Sequence, residues 1–75
     1  MKIKLSDNSY AYISKRDYDN LSQYKWWMDN DGYVTGSVNG KNVKMHLYLL
    51  RVDDNTPVQH INGVTYDNRR SNLRI

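Results

Sequence analysis

Cysteine, phenylalanine and glutamate are absent from this chain of 75 residues, and there is a single proline. The lack of cysteine excludes a disulfide framework and a thiolate zinc site, the two commonest staples of so short a chain. No apolar run approaches the roughly 18–20 residues that cross a bilayer. Met1–Tyr10 lacks the apolar stretch of a secretory signal. No membrane partner is expected, and a cytoplasmic setting is. There is no Pro-, Gly- or Ser-rich linker and no internal repeat, so residues 1–75 read as one domain. A domain of this length buries only about 60% of the surface of its unfolded chain, which leaves no room for a second core or a large enclosed site.

Aromatic residues offset a polar composition. Mean hydropathy is −0.88, close to the disordered range, yet 7 Tyr and 2 Trp are present. Each can bury about 150–250 Å², so a thin core is expected. Net charge is +3, from 11 Lys and Arg against 8 acidic residues, all Asp. The distribution says more than the total: residues 59–75 carry Arg69, Arg70 and Arg74 against Asp67 alone. Guanidinium binds phosphate bidentately and keeps its charge, so this segment reads as a phosphate-facing surface, with a solvated tail as the alternative.

Local patterns predict the elements. Lys2-Ile3-Lys4-Leu5 and Tyr10–Ile13 alternate on either side of Ser6-Asp7-Asn8-Ser9, which predicts a hairpin. Ser14 with Asp17 resembles a capping box and predicts a helix over 15–23. Tyr24–Met28, Tyr33–Val38 and Lys41–Lys44, joined by Asp29-Asn30-Asp31-Gly32 and by Asn39-Gly40, predict a three-stranded antiparallel sheet. Met45–Arg51 reads as a helix over that sheet, ended by Asp53-Asp54-Asn55-Thr56-Pro57. Trp26 and Trp27, adjacent in a strand, must point to opposite faces. The 33–44 hairpin, with Lys41 and Lys44, also suits a β-ribbon laid into a DNA groove.

Beyond residue 57 the elements become short and polar. Val58-Gln59-His60-Ile61-Asn62-Gly63, followed by Asp67-Asn68-Arg69-Arg70-Ser71-Asn72-Leu73-Arg74-Ile75, resembles the core of the HNH homing-endonuclease family. Lys25-Trp26-Trp27, Gly32-Tyr33 and Met45-His46 are similar to the segment that precedes that core in phage-type members. The resemblance implies an α+β fold: a small antiparallel sheet with short helices over 1–57, then an incomplete ββα-metal hairpin over 58–75. It also implies cleavage of a DNA phosphodiester by one divalent ion, Mg²⁺ or another, and one His. His60 matches the general base, a neutral imidazole that takes a proton from water. Asn72, twelve residues on, matches the Asn that ties the loop orienting the His, and Asn68 is a second candidate for that task.

Two departures lower the expected activity. Where the family has an anionic ligand before its His, this sequence has Gln59, whose carbonyl competes poorly with water for Mg²⁺. The family's last helix, bearing another ligand, would lie beyond Ile75, three residues after Asn72. Cleavage is therefore expected to be weak or absent. The chain is either a piece whose last helix comes from elsewhere or a relative kept for binding. Double-stranded DNA is the expected partner, through Arg69, Arg70, Arg74, Lys41 and Lys44, in a bacterial or phage-infected cell. A regulator or inhibitor that binds a host protein is the rival reading, and a second copy completing the C-terminal strand is a third. His46 reads as a packing or capping residue, and the two His residues hold no metal without carboxylates.

Overall fold

A computed structural model describes all 75 residues. The predicted N-terminal hairpin is present: β1 (Lys2–Lys4) pairs antiparallel with β2 (Tyr10–Ile13), placing Lys2 opposite Tyr12 and Lys4 opposite Tyr10. A side-chain period of two sends Ile3, Ala11 and Ile13 into the core and leaves the Lys and Tyr residues outside. The connecting turn is closed by Asn8 at φ 71°, a left-handed conformation that Asn tolerates better than most residues.

The expected capping box does not form. A 3₁₀ turn over Lys15–Asp17 leads into α1 (Tyr18–Ser22), and no side chain caps either segment. Ser14 Oγ instead accepts the Arg70 amide at 3.0 Å, and the Asp17 carboxylate accepts both Nε and Nη2 of Arg70 at 2.9 Å. A bidentate charge-assisted pair is worth more than one neutral cap bond, so the long-range partner wins.

The second sheet matches expectation, with β3 (Trp26–Met28), β4 (Val34–Val38) and β5 (Lys41–Lys44) in antiparallel order. Asn39 and Gly40, at φ 53° and 81°, make the two-residue turn that favours right-twisted hairpins. Trp26 is opposite Gly36 and 2% exposed, and its ring lies across the glycine. Trp27 is half-buried on the other face. The helix α2 (Met45–Leu50) packs on β4 and β5 and ends at Arg51, which adopts the left-handed conformation.

The C-terminal segment is woven into the rest. β6 (Gln59–His60) pairs antiparallel with β8 (Leu73–Arg74), while β7 (Asp67–Asn68) runs parallel to β2 and completes the first sheet. A 3₁₀ turn, Arg70–Asn72, joins β7 to β8. Leu73 enters the same apolar cluster as Ile3, Leu21, Trp26 and Met45, so one core serves both halves of this small α+β fold. No helix is long and apolar enough to cross a membrane.

Candidate functional site

His60 sits on β6 opposite Leu73, 8% exposed. Its Nε2 lies 2.8 Å from Oδ1 of Asn68, which is fully buried on β7. This contact fixes the orientation of the ring, with the tautomer deciding which of the two groups donates. Nδ1 makes no hydrogen bond within the chain. His60 borders an open groove of about 490 Å³ shared with Tyr33, Gln59, Thr65 and Arg74.

Asn72 holds the adjoining turn. Its Oδ1 accepts the Asn62 amide at 3.0 Å, and its Nδ2 donates to Asn62 Oδ1 at 2.9 Å and to the Asp67 carbonyl at 2.8 Å. The backbone adds a bond from the Ile61 amide to the Asn72 carbonyl at 2.8 Å. Asn62 in turn donates to Asp67 at 2.8 Å, and Thr65 Oγ1 donates to the Gly32 carbonyl on the β3–β4 turn. The turn after His60 is therefore held by backbone and side-chain contacts together, with the Asn62 and Asn72 side chains bonded to each other.

Gln59 is committed elsewhere: its Oε1 accepts Arg74 Nη2 at 2.9 Å across the β6–β8 pair. The groove has no side-chain carboxylate among its lining residues, and no cluster of three His, Cys, Asp or Glu exists in the fold. Mg²⁺ demands hard, preferably anionic oxygens in near-octahedral array. A carbonyl already bonded to a guanidinium does not fit that demand, so these residues alone do not compose a site for the ion.

Two residues join His60 that local sequence patterns did not assign to it. The His46 ring, on α2, lies 4.9 Å from the His60 ring, and Tyr33 lies 5.2 Å from His46 and 6.0 Å from His60. His46 is 6% exposed and caps nothing, and its Nδ1 is buried without a partner. Burial, the neighbouring His60 and then Lys44 lower its pKa from 6.5 to about 4. Lys44 stands 5.2 Å over the Tyr33 ring and donates to Asp29 at 2.8 Å. Burial opposes ionisation of Asp29, but bonds from Lys44, Thr35 and the Tyr33 amide outweigh it and hold the carboxyl well below the usual range.

A pH dependence follows from His46. The unfolded chain binds a proton near pH 6.5 and the folded chain only near pH 4, so stability falls as pH drops through that window. About 2 kcal/mol should be lost between pH 7.5 and pH 5. Urea midpoints at the two pH values check this, and His46→Phe should flatten the difference. The shifted carboxylates Asp7, Asp29 and Asp67 titrate below 3.8, outside this interval.

The basic candidates divide into two groups. Arg69 is bidentate to Asp67 (2.8 and 2.7 Å), Arg70 to Asp17, and Lys44 is paired with Asp29. Arg74, hydrogen-bonded to neutral Gln59, and exposed Lys41 have no carboxylate partner. Comparisons with protein-family models, curated proteins and solved structures find no match.

Proposed function

We propose that this chain is a DNA-binding protein on an HNH-endonuclease-like scaffold, with His60 in the general-base position and with cleavage by these residues weak or absent. The observation that supports it most is the anchoring of His60: Nε2 is fixed by Asn68, Nδ1 is free, and Asn72 holds the turn beside it. A positioned neutral imidazole is what proton abstraction from water needs. Hydrolysis of a phosphodiester also needs charge stabilisation, which a divalent ion supplies in such enzymes. With Gln59 bonded to Arg74, that ion lacks ligands here, and the exposed Arg74 guanidinium offers a phosphate contact instead. Duplex DNA is the proposed partner, in the cytoplasm of a bacterial or phage-infected cell. Arg74 and Lys41 lead the phosphate contacts, and Arg69, Arg70 and Lys44 add less because each already has a carboxylate.

Fluorescence anisotropy with a labelled duplex tests the binding. Affinity should fall steeply with salt, and Arg74→Ala and Lys41→Ala should each reduce the slope of log K against log salt by about 1. Salt-independent binding would refute the electrostatic part of the proposal. Plasmid incubated with the protein and Mg²⁺ or Mn²⁺ should remain supercoiled. Robust nicking that disappears in His60→Ala would show that the site is complete without a second ligand. Absence of duplex binding even at low salt would favour a regulator that docks on a host protein.

A further inference from the structure

The outer face of the first sheet carries an aromatic and cationic surface that shares no residue with the His60 groove. Tyr10 and Tyr12 project from β2, 49% and 38% exposed, and Tyr66 beside them is 41% exposed. Tyr12 and Tyr66 stack with ring centroids 6.1 Å apart and planes inclined at 30°. Lys2 and Lys4 stand opposite Tyr12 and Tyr10 on β1, and Lys2 Nζ hangs 5.5 and 5.9 Å from the centroids of Tyr10 and Tyr12. Arg69 closes the far side, where a depression of about 270 Å³ opens beside Tyr12. The carboxylate at that edge, Asp67, is 4% exposed and occupied by Arg69 and Asn62, and Asp7 in the connecting turn accepts from Ser9.

Core packing explains none of this, because the core takes Ile3, Ala11 and Ile13 from the opposite side of the same strands. The three rings offer flat π faces, and the cations between them carry the charge that phosphates require. A ligand that presents both together is a nucleic acid strand with its bases unstacked; a duplex keeps its base faces inside. Tyr10 and Tyr12 are separated by two residues of strand, about 6.4–6.8 Å.

We propose that this face binds single-stranded DNA, with Tyr10, Tyr12 and Tyr66 stacking on bases, Lys2 and Lys4 contacting phosphates, and Arg69, already paired with Asp67, adding less. The choice of DNA over RNA rests on the function proposed above; the stacking surface itself does not.

Anisotropy titrations of the full chain with oligo(dT), oligo(rU), an abasic deoxyoligonucleotide and a duplex test the proposal. Oligo(dT) should bind more tightly than the abasic strand. Tyr12→Ala and Tyr66→Ala should each weaken oligo(dT) binding about tenfold, Tyr12→Phe should restore most of it, and Lys2→Ala should reduce its salt slope by about 0.7. Duplex affinity should be unchanged in the Tyr variants, and Trp fluorescence melts identify any variant that fails to fold. Equal binding of abasic and dT strands, or Tyr12→Ala without effect on oligo(dT), overturns the stacking platform even if duplex binding persists. Tyr-dependent preference for oligo(rU) overturns the choice of DNA, and loss of duplex binding in the Tyr variants assigns the face to duplex instead. Tyr-dependent oligo(dT) binding without duplex binding leaves this proposal standing and removes the preceding one.

Discussion

Trp26→Ala should destabilise the fold by about 3–5 kcal/mol, the range for emptying a buried indole site. Domains of this length are held by about 4–11 kcal/mol in all, so the variant should lose a large fraction of its stability, read as a drop in melting temperature by circular dichroism and in urea midpoint. The indole is central in three ways. It is 2% exposed, its Nε1 donates to the Leu21 carbonyl at 2.8 Å, and its ring packs with Tyr24 and Tyr48 at centroid distances of 6.4 and 5.9 Å. Its seat exists only because position 36 has no side chain: a Cβ there would lie 2.3 Å from the ring. Gly36→Ala should therefore cost about 1–3 kcal/mol through overpacking. The same substitution should cost less in a Trp26→Phe background, where the smaller ring can yield.

The second large effect belongs to Asp17 and Arg70. Arg70→Ala strands a carboxylate that is 4% exposed, and breaking a buried pair from one side costs about 3–5 kcal/mol. The low end applies, because the Arg70 side chain keeps 33% of its surface in water. Asp17→Asn should cost less, since a neutral amide leaves no uncompensated charge in the core. Removing both partners for apolar residues of similar size should recover part of the loss. A double-mutant cycle on urea midpoints measures the coupling, and additivity of the single changes would show that the pair contributes nothing.

The same pair shows what sequence reading can and cannot reach. Ser14 and Asp17 look like a local helix start because their spacing satisfies a capping rule, yet their partner is 53–56 residues away. Alternation over Lys2–Leu5 and Tyr10–Ile13 and the Asn39-Gly40 turn depend only on neighbours, and those elements are where the pattern puts them. The parallel pairing of Asp67–Asn68 with β2 leaves no such trace, because two polar residues have neither period nor β-propensity to announce a strand. The resemblance groups His60, Asn68 and Asn72, and the structure puts Asn68 on the His60 ring and Asn72 on the adjoining turn. His46 and Tyr33 lie 14 and 27 positions from His60 and converge only when α2 folds over β4 and β5.

The placement of β7 also orders events in time. Its partner β2 ends at Ile13, so the pairing closes a loop of more than fifty residues, an entropic cost that local hairpins do not bear. Asn68, which fixes the His60 ring, is supplied by that same strand. The local hairpins can form as soon as their residues leave the ribosome, whereas the imidazole gains its orientation only after β7 has docked. In refolding, hairpin formation should precede protection of the His60 surroundings, so that the polar cluster around His60 assembles late in folding and not as its nucleus.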